Sequence, residues 1–548
     1  MPPERPEELP EGYYLDNFEF LLRFVLERYE RLLTPPELDL AHSFLAAPLA
    51  SRRLYVRMAN RRGEYFRVDK LHYPEIPNIP AVIEDLGSRG LVQQEVPDQE
   101  TGISLCTRAE LLQLASLSAC PKTARRAELV ESLLDSGVDA SPTDELGIAT
   151  VRVTGMEHLQ VFRLLFFGNF HQDMTEFVLH ELVSPFESYD LSESSRLFRD
   201  REMVEEILRL KACAELAYDR LEVDESGDQL VELLDELTVR PTGHLPARRF
   251  DRIVNRLARQ LERLGRYDSA LQAYRLTRSA PSRERQVRLL ATADDVQSAL
   301  SLCREIHADP SDEDEWEFAV RFAMRLARKH GCENPVPEDP DWQPIIKDSI
   351  VIAPQHDRVE LAALAWFTAQ GWEGWYVENA LFRGLFGLAF WDIIFAPVPG
   401  AFFHPFQRGP DDLYTPDFTA RRHDLIDDRL EELTDAGLLA KRVLSCFEEK
   451  HGINNALVHW GWLDRALIET SLARLPARHL GLIFRRLLVD LKNNSTGLPD
   501  LILFHDDEYR LVEIKGPGDK LQKNQARWFR YFHQQGIPAE VIDVSYSR

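Results

Sequence analysis

The spacing of apolar residues divides the chain into segments with different periods. In "YYLDNFEFLLRFVLERYERLL", near the start, apolar side chains recur every three or four residues, which predicts an amphipathic helix. "LYVRMANRRGEYFRVDKL" alternates instead, around Arg61, Arg62 and Gly63, and predicts a hairpin. "IPAVIEDLGSRGLV" reads as a short helix stopped by glycine. Helix, hairpin and helix within residues 1–98 predict a winged-helix-like DNA-binding unit.

Residues 99–140 follow a different pattern. Thr107 with Glu110 three positions on is a capping-box signature, and a second helix, "RAELVESLL", is stopped by Gly137. The two helices resemble a SAP module, a small helix–loop–helix DNA-binding unit, with Lys122, Arg125 and Arg126 in the place of its basic connection. Residues 141–345 are mainly helical. Within them "LARQLERLGRYDSALQAYRLTRSAP" has the form of a tetratricopeptide-type helical repeat, and "DDVQSALSLCREIHADP" is a degenerate second copy.

In residues 346–548 the period shortens to two. "LPDLILF" and "YRLVEIKG" are β-rich runs separated by the polar cluster His505 to Glu508, which predicts a hairpin. With its turn centred between Asp506 and Asp507, cross-strand partners have numbers summing to 1013. Asp500 then lies opposite Glu513, and alternation puts Lys515 on the same face. "GPGDKLQKNQARWFRYFHQQG" continues as a glycine-rich turn and a helix, capped by Asp519 and ended by Gly536. Its Leu521, Trp528, Phe529 and Phe532 form a sheet-facing side, with Trp528 in the core and Gln525 placed either toward the charged residues or on the helix surface.

Composition narrows the class. A length of 548 residues with 44% hydrophobic and 28% charged residues implies several soluble domains. The start, "MPPERPEELPEGYY", lacks the basic and apolar regions of a secretory signal, and a cytoplasmic protein without a membrane span is expected. The six cysteines show no metal-binding spacing. A net charge of −25 opposes wholesale affinity for nucleic acid, but charge is unevenly spread. Between Arg248 and Arg288 stand twelve arginines and four acids, a local 12 − 4 = +8. Such a cluster predicts contact with phosphates.

The charged hairpin carries the chemistry. Two carboxylates held opposite one another repel unless a cation lies between them, and oxygen donors favour Mg²⁺ or Mn²⁺. A neighbouring lysine can orient water or offset charge developing on a phosphate. Asp500, Glu513 and Lys515 therefore predict metal-dependent phosphodiester hydrolysis.

The ordered set "GLPD", "VEIKGP" and Q-x-x-W resembles the VRR-NUC branch of the restriction-endonuclease-like PD-(D/E)xK nucleases. With "RLYVRMANRRGEYFRVDKLHYPEI" and "GLFGLAFWDIIF", the whole chain resembles the Fanconi anaemia-associated nuclease family in a bacterial-type form. That resemblance implies a mainly α multidomain protein with a C-terminal α/β nuclease domain. It implies a 5′-flap endonuclease and 5′-to-3′ exonuclease acting in interstrand cross-link repair. It adds Glu378 as an acidic site residue from a helix before the first core strand, while Asp392 reads as a helix-end residue. One or two Mg²⁺ or Mn²⁺ ions would bind Glu378, Asp500, Glu513 and the Ile514 carbonyl. It also implies a 5′-phosphate pocket, matched here to Arg283, Arg285 and Arg288. No Cys/His cluster forms the ubiquitin-binding zinc finger of animal members. A non-catalytic junction-binding scaffold, or a phosphodiesterase for RNA or nucleotides, are the alternatives.

Overall fold

The computed structural model describes residues 11–114, 120–135, 140–174, 177, 185–191, 195–337, 345–353 and 358–547. The chain divides into two units, residues 1–184 with 191–201, and residues 185–190 with 202–548.

The first unit opens with α1 (Tyr13–Tyr29), α2 (Pro35–Leu45) and α3 (Leu49–Ala59). Thr34 and Glu37 form a capping box that starts α2. The expected hairpin does not form: "LYVRMA" lies in α3, with Leu54, Val56 and Met58 fully buried. Arg57 lies on that helix beside Glu75, so the alternating letters were read with the wrong period. A three-stranded sheet follows, with β1 (Tyr65–Arg67), β2 (Val92–Gln94) and β3 (Thr150–Val153) in the order β1-β3-β2. Helix α4 (Ile79–Ser88) stands between β1 and β2 in sequence. β3 pairs antiparallel to both of its neighbours, so the sheet extends beyond the expected boundary at residue 98.

The SAP-like segment is thus inserted between two strands of one sheet. Thr107 and Glu110 cap α5 (Arg108–Leu111) as their spacing implied, and α6 (Arg126–Asp135) follows. Residues 115–119 of the expected first helix, and Gly137, lie outside the described residues. Lys122 and Arg125 are exposed. Arg126 instead donates to the carbonyls of Ile103 and Cys106, at 2.7 and 2.5 Å, so it ties α6 to the preceding helix end.

The second unit begins with helices packed in sequence. They include α7 (His244–Arg263), α8 (Tyr267–Arg275), α9 (Ser282–Thr292), α10 (Val296–Ala308) and α11 (Glu313–His330). The two repeat copies have matching turns. Gly265 and Asp294 both adopt left-handed backbone, with φ of 76° and 62°, two residues past the ends of α7 and α9. Arg266 and Asp295, the residues after them, each donate an N–H back into the last turn, to Leu261 and Leu290. Ala270 and Ala299, five residues after those turns, are fully buried where adjacent helices meet.

The sheet of the C-terminal portion has the order β4-β8-β7-β6-β5. Its strands are β4 (Lys347–Ile352), β5 (Glu373–Tyr376), β6 (Leu501–His505), β7 (Glu508–Lys515) and β8 (Ala539–Tyr546). Helix α12 (Val359–Ala369) precedes β5, α13 (Ala380–Ala389) follows it, α14 (Ala477–Val489) lies ahead of β6, and α15 (Lys523–Gln534) joins β7 to β8. Leu501, Leu503, Val512, Ile514 and Ile542 form a nearly solvent-free core with Ala363 and Phe367 of α12. That core fixes the register of the strands that carry the charged residues.

Candidate active site

The hairpin has the expected register. Leu501 pairs with Val512 and His505 with Glu508, so cross-strand numbers sum to 1013, and Asp506 takes the left-handed turn position at φ 47°. Extending that ladder by one residue sets Asp500 opposite Glu513. Regular pairing stops at Leu501, which leaves Asp500 able to turn its side chain along the strand end. Asp500 Oδ2 accepts the Ile514 N–H at 2.9 Å. The Ile514 carbonyl lies on the same strand edge as that N–H, so it too faces the site.

Both carboxylates are secluded, with Asp500 9% and Glu513 1% exposed. Burial pushes the Glu513 carboxyl up to about 8; the neighbouring Asp500 adds to the rise and Lys515 opposes it. Burial likewise raises Asp500 to about 6, against the stabilising Ile514 N–H. Glu360 and Glu378 contribute repulsion at Asp500. Lys515 Nζ lies 2.8 Å from Glu513 Oε1, and Gln525 Nε2 donates to the same oxygen. Gln525 is therefore directed into the site. Glu513 Oε2 is buried and has no hydrogen-bond partner among the described residues. An orphaned carboxylate oxygen beside a second carboxylate and a strand-edge carbonyl suits a hard cation. Among the described residues no three carboxylate, imidazole or thiol groups are already gathered as a metal cage.

The local chain explains why Gln525 reaches that position. Gly497 has φ 82°, and a Cβ there would lie 2.8 Å from backbone atoms of Asn524 and Gln525. Only glycine lets the turn before Asp500 pass this close to the start of α15. Gln522 and Gln525 cap that helix reciprocally, while Asp519 accepts the Gly516 N–H in the preceding turn. The expected Asp519 cap is thus replaced by one three residues later. Trp528 is buried as core and donates to the Asn494 carbonyl at 3.2 Å.

Glu378 does reach this region, but not from a helix. It follows β5 in left-handed backbone, φ 40°, one residue before the N-cap Asn379 reaches α13. The N–H groups of Val377 and Glu378 both donate to the Asp500 carbonyl, at 2.8 and 3.1 Å, which locks this turn onto the hairpin. The Tyr376 hydroxyl donates to Glu378 Oε2 at 2.8 Å. The acid in the helix before β5 is Glu360, in the first turn of α12, electrostatically coupled to Asp500, Glu513 and Tyr376. Sequence reasoning missed Glu360 and Tyr376; an acid at the first turn of the helix before β5 was the available signal. Asp392 ion-pairs with Arg429 at 2.7 Å and belongs to the framework.

The three arginines matched to a 5′-phosphate pocket are held by carboxylates. Arg283 is buried and pairs with Glu315, Arg285 with Glu262, and Arg288 with Glu284 at 2.7 Å. Glu315 comes from α11, outside the segment whose charges were summed. Arg285 and Arg288 line different clefts, and Arg283 is buried. Arg283 makes a buried bidentate pair with Glu315 within the stack of helices.

Comparison with known proteins agrees with this geometry. The family model described as "VRR-NUC domain" matches residues 435–546, and "FAN1, HTH domain" matches residues 12–93. A Fanconi-associated nuclease 1 homolog of Pseudomonas aeruginosa is 34% identical over 99% of this chain and 97% of its own length. The human Fanconi-associated nuclease 1 is 24% identical over 97% of this chain and 62% of its own. The crystal structure of paFAN1 bound to 2nt 5′flap DNA with gap superposes with a TM-score of 0.89 at 33% identity, covering 99% of this chain and all of that one. A second, bound to 1nt 5′flap DNA with gap, has a TM-score of 0.86. With its N-terminal helix-turn-helix domain, helical middle and VRR-NUC hairpin, the chain belongs to the Fanconi-associated nuclease family.

Proposed function

We propose that this protein is a metal-dependent, structure-specific DNA nuclease that cuts near 5′ flaps, digests 5′ to 3′ and serves interstrand cross-link repair. The observation that carries the hydrolytic reading is the buried pairing of Asp500 with Glu513, whose Oε2 has no hydrogen-bond partner among the described residues. The flap substrate is the less direct part and is supported by the paFAN1 complexes.

Asp500, Glu513, Glu378 and the Ile514 carbonyl would hold one or two Mg²⁺ or Mn²⁺ ions. When bound, such an ion supplies a positive centre that offsets the charge of the scissile phosphate. Lys515 Nζ is held on Glu513 Oε1, from where its ammonium would orient the attacking water or offset the developing charge. Gln525 holds Glu513 Oε1, which leaves Oε2 for a cation. Tyr376 orients Glu378, and Glu360 enriches the site in negative charge. Lys122 and Arg125 are exposed and suited to duplex phosphates.

The reading is tested on a 5′-flap duplex with Mn²⁺, beside matched RNA and a nucleotide ester. Turnover is expected on the flap alone, and Asp500→Ala or Lys515→Ala should abolish it while binding persists. Equal turnover in wild type and both variants would remove the hydrolytic assignment. Faster turnover of the RNA or ester would replace the substrate.

A further inference from the structure

The turn "HWGW", residues 459–462, carries two tryptophans with opposite fates. Trp460 is an anchor. Its Nε1 donates to the Ile453 carbonyl at 2.8 Å, and its ring stands 5.0 Å from His451 and 5.8 Å from Phe447. Trp462, two residues on, is 39% exposed. Burying an indole is worth more than burying almost any other side chain, so one left open beside a chemical site calls for a use.

Packing on α13 fixes where that ring stands. Gly384 and Gly387 lie about one turn apart on the helix and give it a flat strip. A Cβ at Gly384 would collide with Leu463, and one at Gly387 would lie 2.6 Å from Val458 Cγ2. The chain on both sides of the turn is therefore seated directly on the helix that follows Glu378. Arg383, on the same helix, donates to the Ala456 carbonyl at 3.1 Å.

This seating brings the indole next to the carboxylates. The Trp462 ring centroid is 5.5 Å from that of Tyr376, tilted by 58°, and the Tyr376 hydroxyl donates to Glu378 Oε2 at 2.8 Å. His459 stands edge-on to Trp462 at 6.5 Å and 80°. One ring thus separates the exposed indole from an acid of the site. In a polynucleotide one sugar separates a base from its phosphate, so a phosphate at the carboxylates brings a base within reach of the indole. The turn holds no lysine or arginine and offers a π-face in place of a phosphate grip. A base inside a duplex has both faces covered, so the nucleotide that meets this ring is unstacked on one side.

We propose that Trp462 stacks on the base of a nucleotide flanking the scissile phosphate, holds that phosphate in register with the carboxylates and favours a purine at that position. The proposal rests on the nuclease reading, and its tests let either fail alone. Full-length protein is assayed with Mn²⁺ on a 5′-flap duplex in which the nucleotides on either side of the mapped cut are made abasic one at a time. Wild type should lose roughly tenfold in kcat/KM at one of the two positions. Trp462→Ala should lose roughly tenfold on the unmodified flap and nothing further on that abasic one, because ring and base are removed from the same contact. Trp462→Phe should restore most of the rate, and the purine preference of wild type should vanish in Trp462→Ala. Wild-type indifference to both abasic positions, or losses from ring and base that simply multiply, would overturn the proposal. A crosslink on the unsubstituted protein is independent of variant folding. 5-Iodouracil is placed at successive positions around the junction and irradiated without metal; an adduct is expected on Trp462, and its absence at every position also overturns the stack. An adduct on Trp462 in a protein that cuts no substrate would reject only the nuclease reading.

Discussion

The hairpin of β6 and β7 and the arginine-rich helices α7 to α9 both concentrate charge, yet the structure uses that charge in opposite ways. In the hairpin, like charges are forced together: Asp500 opposes Glu513, and one oxygen of Glu513 is left without a partner among the described residues. In the helices, opposite charges find one another, and Arg283, Arg285 and Arg288 each meet a carboxylate. Backbone pairing fixes side-chain neighbours in a strand, whereas long arginines on helices reach whichever acid tertiary packing brings near. Unresolved repulsion marks chemistry better than an excess of one sign.

The comparison breaks most visibly at its catalytic end. Lys515→Ala and Glu513→Ala should each reduce Mn²⁺-dependent cleavage about a thousandfold or more while leaving thermal stability near that of wild type, as a single transition-state contact is worth about 10²–10³ in rate. Retained cleavage would remove the catalytic distinction between the hairpin and the arginine-rich helices.

Arg283→Ala is expected to act on the fold instead. Removing it strands Glu315, which is 3% exposed, and should destabilise the protein by about 3–5 kcal/mol in denaturant unfolding. A large loss of flap affinity with unchanged stability would restore Arg283 to a binding role. Arg288→Ala, whose partner is only one helical turn away, should cost about 0.3–0.5 kcal/mol.

Tyr376→Phe sharpens the comparison inside the site. It removes only the hydrogen bond to Glu378 and should raise the metal concentration needed for half-maximal activity by roughly tenfold, as outer partners of metal ligands do. An unchanged metal requirement would make the tyrosine a packing residue.

The smallest expected effect is a pH trend. Glu513 and Asp500 keep protons up to about 8 and about 6 in the folded chain, above their ordinary values. Over that window the unfolded chain binds fewer protons, so metal-free stability should fall as pH rises from about 4.5 toward 8. Metal competes with those protons, and Mn²⁺ affinity measured by calorimetry should rise over the same window. A flat profile would place both carboxylates in ordinary solvent-like surroundings.

The sequence by itself determined the hairpin, its register and the shared face of Asp500, Glu513 and Lys515. A period of two and a two-residue turn leave little freedom once apolar flanks must be buried. Capping at Thr107 and the paired repeat turns were legible for the same local reason. Tertiary structure decided the rest. β1 takes β3 as its partner across an inserted segment, and Glu378 enters from a left-handed turn fastened to Asp500. Glu360 arrives with α12, and Arg283 is claimed by Glu315 from a later helix. These relations join residues far apart in the chain, and no local period encodes the distance that packing closes between them.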